Sequence, residues 1–406
     1  MRRQRRTSQR EIQGPMKEDT LIVTTGRDPE SNFGIVNPPV YHASTITHRT
    51  VAAMENARKN RWEPGVYTYG RHGTPTHSAF EEAIAALEGG WRAVAVGSGL
   101  AAINAAILAF VQAGDHVLMV DCVYGPARHF CDTFLGRFGV ETTYFDPAIG
   151  SGVARLMRPN TRIVYVEAPG SLTFEMQDIR AIADAAHKGG AVVIMDNTWS
   201  GGGVYFKPFA HGVDVTCNAA TKYIVGHSDV MMGTITTTEE HWKRVRQSAS
   251  DSGANSGPDD VYLALRGLRT IKVRMQRHME TALTIARWLQ GRPEVDRVLY
   301  PALPEDPGHA LWQRDFTGAS GLFGVVLKPA PTPAVHAMLD KMELFAMGAS
   351  WGGFESLILP TNPGPGRTAT PWQAAGPTLR IHAGLEDPAD LVADLEEGFK
   401  RLNASR

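Results

Sequence analysis

Three features of the chain predict an α/β fold. From about Thr74, short apolar runs alternate with amphipathic stretches, which is the pattern of βαβ crossovers and a mostly parallel sheet covered on both faces. One of these runs, Ala191-Val192-Val193-Ile194-Met195, stops on Asp196, placing a carboxylate at the C-terminal end of a strand, where open α/β sheets bind their ligands. Beyond Gly267 strict alternation ceases, so a smaller α+β domain follows the first. At 406 residues and 43% hydrophobic content, the chain is long for one domain and can bury a sizeable core.

Residues 1–20 are expected to form a disordered basic tail. Met1 to Arg10 is rich in arginine, lacks acids and has no apolar run, so it is not a secretory signal; a transit peptide shares its composition, and a start at Met16 is the alternative to a tail. Residues 21–73 lack a strong period and read as an arm that packs on a partner subunit. From residue 74 to 267 a first domain is expected. Ser78-Ala79-Phe80-Glu81 predicts a capping box, Phe80, Ile84 and Leu87 fall on one helical face, and Gly89-Gly90 ends the helix. Strands are predicted at Ala93–Val96, His116–Val120, Ile163–Val166, Ala191–Met195, Asp214–Cys217 and Gly233–Thr237. The second domain, 268–406, is expected to hold a helical run from Leu268 to Leu289, strands at Leu322–Leu327, Leu344–Ala349 and Leu379–His382, and a closing helix from Pro388 to Leu402. Pro360 to Gly376 reads as a surface loop, and no internal repeat is visible.

Composition excludes several function classes. A net charge of −1 offers no broad field for nucleic acid or an anionic membrane. The most apolar stretch, Leu100 to Val111, contains Asn104 and is too short to span a bilayer, so a soluble chain is expected. Three cysteines without a C-x-x-C pair fit a reducing, cytoplasmic compartment. The 14 histidines show no metal-binding spacing, and no metal is expected.

Lys222 lies 26 residues after Asp196, far enough for a turn, a loop and one more strand. A strand-end Asp is usually a cap and most lysines are solvated, so neither alone carries an argument. Together they suit pyridoxal phosphate (PLP): the acid keeps the pyridine nitrogen protonated and the lysine forms a Schiff base with the aldehyde. Gly97-Ser98-Gly99-Leu100-Ala101-Ala102 also matches the G-x-G-x-x-A dinucleotide fingerprint, with Asp121 as a candidate ribose ligand, but a nicotinamide site leaves Asp196 and Lys222 without a role. For PLP the same turn offers the N–H groups of Gly99 and Leu100 to the phosphate, and Thr221 adds a hydroxyl. Arg380, inside the apolar strand Leu379–His382, needs an anion, either a ligand or an internal salt bridge.

Asp196-Asn197-Thr198-Trp199 and Ala220-Thr221-Lys222-Tyr223-Ile224-Val225-Gly226-His227-Ser228-Asp229 resemble the Cys/Met-metabolism group of PLP enzymes, and the resemblance runs from about Thr25 to Leu402. Pro301-Ala302-Leu303-Pro304, the run from Arg314 to Phe323 and Ser350-Trp351-Gly352-Gly353 are most similar to its bacterial cystathionine β-lyase branch. The resemblance implies a fold-type-I sheet of seven strands and β-elimination of a thioether amino acid, L-cystathionine. A γ-specific relative and a non-catalytic PLP-binding protein are the alternatives. It also implies a homo-oligomer, a dimer with shared sites and a homotetramer, in which Tyr69 and Arg71 of Tyr67-Thr68-Tyr69-Gly70-Arg71 reach the phosphate in a neighbouring subunit, with Tyr69 also near the substrate. Tyr124 is expected to stack on the cofactor ring, with its phenol pKa lowered beside a cationic imine, and to take a proton. Arg380, with Ser350 and Trp351, is expected to bind the substrate α-carboxylate. Relatives often carry Ser where this chain has Ala219, which removes one phosphate donor.

Overall fold

The computed structural model describes residues 16–405. Residues 1–15, most of the expected tail, lie outside the described residues. The order begins earlier than expected: a helix spans Glu18–Thr24, inside the stretch assigned to the tail. Its start is anchored, since Glu18 pairs with Lys207 at 2.7 Å and Lys272 at 3.5 Å. Its end is capped by Arg269, which donates to the carbonyls of Ile22 and Thr25.

The first domain is built on seven strands: β1 Arg92–Val96, β2 His116–Val120, β3 Glu141–Phe145, β4 Thr161–Glu167, β5 Val192–Asp196, β6 Val215–Asn218 and β7 Gly233–Thr237. They pair in the order β1-β7-β6-β5-β4-β2-β3, and β7 alone runs against its neighbours. β2, β4, β5 and β6 are largely buried, and the first three are rich in Val and Ile, as a sheet with helices on both faces requires. β3 was not expected, because Glu141-Thr142-Thr143-Tyr144-Phe145 is an edge strand in which only Phe145 is buried. The parallel register places Glu167 beside Asp196 and Asp196 beside Cys217, so two acids share the C-terminal edge of the sheet.

The second domain carries four strands, β8 Val295–Leu299, β9 Leu322–Leu327, β10 Leu357–Thr361 and β11 Thr378–His382, all antiparallel, in the order β10-β11-β9-β8. Helices Ile271–Gln290 and Pro388–Ala404 match the expected helical run and closing helix.

Two expected elements are corrected. The first helix of the α/β domain opens at Pro75 rather than at Ser78: Thr74 is its cap, and His77 completes the box by accepting from the Thr74 N–H at 3.2 Å. Proline at the first helical position pre-sets φ and moves the start upstream. Glu81, the expected box partner, instead accepts from the N–H of Ala95 and pairs with Arg246. The expected strand at Leu344–Ala349 makes only a single bridge, Ala346 to Leu357. Its N–H groups are engaged elsewhere, since the carboxylate of Asp394 accepts from Glu343, Leu344 and Phe345 at 2.8–3.1 Å. The edge strand is β10 instead, which runs into the first two residues of the expected loop.

Asp121, at the end of β2, joins the two domains. Its buried carboxylate accepts from Arg128 at 2.5 Å, from Arg367 at 3.1 Å and from the N–H groups of Thr368, Ala369 and Thr370 at 2.8–3.2 Å. Burial pushes its pKa up, but these bonds and the charge of Arg367 outweigh burial and hold it below the usual range. All of its accepting capacity is therefore used on the chain itself, which removes it as a ribose ligand. Breaking a buried ion pair from one side costs about 3–5 kcal/mol. Asp121→Ala should therefore lower the melting temperature and speed proteolysis within 364–376; an unchanged cleavage rate there would show that other contacts hold the loop.

Candidate active site

A cavity of about 730 Å³ opens at the C-terminal edge of the large sheet, where the second domain meets it. It gathers Gly99, Leu100, Tyr124, Asp196, Thr221 and Lys222 from the first domain and Ser350, Trp351 and Arg380 from the second.

Asp196 ends β5 pointing into the cavity edge, with one oxygen accepting from the N–H of Thr198 at 3.0 Å. Burial raises its pKa, against the opposing pull of its Thr198 bonds and the charge of Lys222. Lys222 lies on the turn after β6 and donates to the Ser350 hydroxyl at 2.7 Å, with its ammonium 5.4 Å from the centre of the Trp351 ring. Burial and then the charge of Arg380 lower its pKa to about 8, although Asp196 pulls the other way. A half-buried amine titrating this close to neutrality can act as a nucleophile and a base.

The helix Gly99–Leu108 aims its N-terminus at the cavity. Ser98 caps it by accepting from Ala101 N–H at 3.1 Å, while the N–H groups of Gly99 and Leu100 have no acceptor among the described residues. Two free N–H groups at a helix start suit a phosphate. Gly99 is required here by space, because a Cβ at that position would lie 2.6 Å from the Cβ of Ala219. Thr221 does not meet the expectation of a free hydroxyl donor: it donates to the Met232 carbonyl at 3.0 Å and accepts from the Met232 N–H at 2.9 Å, tying the lysine turn to the start of β7.

Tyr124 presents a half-exposed ring at the cavity. Its phenol pKa is raised by burial and by the charges of Asp196 and Glu167, with Arg380 opposing. Carboxylates outweigh the one nearby guanidinium. Arg380 meets no carboxylate among the described residues; one nitrogen donates to the carbonyls of Gly348, Ala349 and Ser350 at 2.9–3.1 Å. Neutral carbonyls leave the positive charge uncompensated, so the site retains an appetite for an anion.

Tyr69 and Arg71 are not brought to the cavity of their own chain. Arg71 donates to the Ser250 carbonyl at 2.6 Å, and Tyr69 is 46% exposed.

Several residues that shape the site were not singled out from sequence. Glu167 ends β4 beside Asp196, and its carboxylate accepts from the N–H of Tyr124 at 2.7 Å, setting the height of that ring; burial and then Asp196 raise its pKa well above the usual range. Its signal was available, since Ile163-Val164-Tyr165-Val166 stops on an acid just as β5 does. Glu88 and Arg274 carry no such signal. Glu88 accepts from Asn197 at 3.3 Å, Thr216 at 2.9 Å and Asn218 at 3.1 Å, joining the ends of β5 and β6. Arg274 donates to the carbonyls of Tyr223 at 2.8 Å and Ile224 at 3.3 Å, just past Lys222.

The low pKa of Lys222 has a stability consequence. Its folded pKa of about 8 lies below the ordinary lysine value, so the cost of burying its charge is fully present below pH 8 and disappears as pH rises toward the unfolded value. In ligand-free protein, Lys222→Met should raise the melting temperature at pH 7, with the gain shrinking toward pH 10. A gain independent of pH would mean that the amine is solvated.

Comparison with known proteins agrees with this geometry. The family described as Cys/Met metabolism PLP-dependent enzyme matches residues 19–400. The cystathionine beta-lyase of Escherichia coli K12 is 43% identical over 95% of this chain and 99% of its own. A Rhizobium johnstonii protein given the same name on a provisional basis is 51% identical over 95% of this chain and 96% of its own. Among solved structures, the cystathionine gamma synthase of Xanthomonas oryzae pv. oryzae, in complex with aminoacrylate and cysteine, superposes with a TM-score of 0.88 at 30% identity, covering 97% of this chain and all of that one. With nearly its whole length matched, the chain belongs to the Cys/Met metabolism PLP-dependent enzymes.

Proposed function

We propose that the chain is a cytoplasmic carbon–sulfur lyase that uses PLP to cleave L-cystathionine by β-elimination, releasing homocysteine and a 2-aminoacrylate that water hydrolyses to pyruvate and ammonia. The observation that carries this reading is the placement of Lys222: a half-buried amine with a pKa near 8, one hydrogen bond from Ser350, in a cavity that also holds Asp196 and Arg380. The β- rather than γ-specific chemistry is favoured by the 43% and 51% identity to proteins named for it, against 35% and 30% for two γ-synthases.

When bound, PLP supplies an aldehyde that captures amines and a ring that withdraws electrons from a neighbouring carbon. The residues present fit it. The N–H groups of Gly99 and Leu100 would hold the phosphate, Asp196 the pyridine nitrogen, and Tyr124, whose backbone is fixed by Glu167, would offer its ring to the cofactor's. Arg380, with Ser350 and Trp351, takes the substrate α-carboxylate. Tyr124 would take a proton from the incoming substrate amine as a phenolate, a form that a cation beside it favours against burial and the charges of Asp196 and Glu167. Lys222, as a neutral amine, would remove the substrate α-proton and deliver a proton to the departing sulfur.

A homo-oligomer completes the site: Tyr69 and Arg71 extend into the cavity of a second copy and add a phenol and a guanidinium to the phosphate contacts, with Tyr69 close to the substrate. The exposed apolar side chains of the arm, Phe33 at 98%, Ile35 at 59% and Val51 at 66%, support burial against that copy. A dimer of such dimers gives a homotetramer.

The decisive measurement is the keto acid released from L-cystathionine: pyruvate is expected, whereas 2-oxobutyrate would establish a γ-lyase and no keto acid a binding protein. Arg71→Ala should fold normally yet require roughly ten- to a hundredfold more PLP for half-saturation, since a charge-assisted bond contributes ~1.5–3 kcal/mol. Mixed with Lys222→Ala and allowed to exchange subunits, it should regain activity, because a mixed dimer has one intact site; exchange without recovery would place Arg71 in its own chain's site.

A further inference from the structure

Arg380 and His382 sit two residues apart on β11 and so share one face of the strand. Arg380 holds the carbonyls of Gly348, Ala349 and Ser350. His382 continues the same grip: its Nε2 lies 3.1 Å from the Gly352 nitrogen and 3.2 Å from the Gly353 oxygen. In either neutral tautomer the ring binds one of those two groups. The ring is 1% exposed and packs against Tyr223 and His278, at centroid distances of 5.8 and 5.1 Å. Burial first, then His278, Arg380 and Lys222, push its pKa well below the ordinary histidine value.

Between these two grips lies the segment that carries Ser350 and Trp351 to Lys222. It has no slack on its far side. Gly352 has φ of +88°, and a Cβ there would lie 2.8 Å from the carbonyl carbon of Lys222 and 2.9 Å from its Cα. The backbone at 352 therefore rests directly on the backbone of the lysine, and a shift of one displaces the other.

We propose that His382 is a positioning residue: through the backbone of Gly352 and Gly353 it fixes Ser350 and Trp351 against Lys222, and so sets how tightly the substrate carboxylate is held. The substrate part of this inference rests on the function proposed above; the placement of the segment does not. Arg380 grips the front of the segment and is available to the ligand, while His382 grips the back and never meets it.

The test compares the holoenzyme with its His382→Leu and His382→Gln variants by amide hydrogen exchange of the peptide spanning 348–356 and by steady-state kinetics on L-cystathionine. Loss of one buried bond corresponds to about tenfold. The leucine variant should exchange at Gly352 about tenfold faster, with the rest of the chain unchanged, and its KM should rise about tenfold while kcat changes much less. Glutamine, whose amide offers an acceptor and a donor at a similar reach, should restore both. Unchanged exchange in the leucine variant, or faster exchange spread evenly over the whole chain, overturns the proposal, and faster local exchange with an unchanged KM overturns the link to substrate. If leucine does not fold, His382→Asn, polar but too short to reach, takes its place with the same outcomes. Failure of the wild-type protein to release pyruvate would sink the proposed function while leaving the exchange result intact.

Discussion

The docking of the second domain onto the first is the constraint on which everything else depends, and the buried carboxylate of Asp121 is its fastening. Lys222, Asp196 and Tyr124 come from one domain, Arg380, Ser350 and Trp351 from the other, so no site exists unless the two are held in register. Asp121 binds two arginines and three consecutive backbone N–H groups at the end of β2, three residues before Tyr124. Arg367, itself 3% exposed, also pairs with Glu175 on the segment whose neighbours Leu172 and Phe174 line the cavity. One carboxylate thus orders a loop of the second domain and, through Arg367, a wall of the site.

Inside the cavity the charges are arranged by exclusion of water. Burial raises Asp196 and Glu167 and lowers Lys222, moving acids and base toward each other and toward neutrality. Opposite charges close by oppose these shifts only in part. The frame that holds them is polar: Glu88, pushed up by burial, ties Asn197 to Asn218, so the residue after Asp196 and the residue before Ala219 cannot drift apart.

Much of this was legible in the sequence because it follows from periodicity. The strands of the buried sheet are unbroken apolar runs, and a run that stops on Asp196 announces both an element and a ligand position. Lys222 and Arg380 stood out for the same reason, one following and the other interrupting a recognisable strand, whereas Tyr124 was singled out by the family resemblance. What was hidden depends on partners distant in sequence. Nothing near Leu344 reveals that Asp394 takes the N–H groups of that stretch and denies it a strand. Nor does anything near Thr221 reveal that Met232 occupies its hydroxyl. The capping box was misplaced because Ser78 and Glu81 have the right spacing, whereas Pro75 decides where the turn begins. Glu167 was missed despite carrying the signal that identified Asp196, and its role appears only once the register sets the two side by side.

The depressed pKa of Lys222 also bears on the life of the chain before it is loaded. With a value of about 8, about a tenth of these amines are unprotonated at pH 7, against roughly one in three thousand for an ordinary lysine. A freshly folded subunit therefore displays an unusually reactive nucleophile in an open cavity. Any small aldehyde that fits will compete for it, and prompt capture of the rightful cofactor is a form of protection as well as activation.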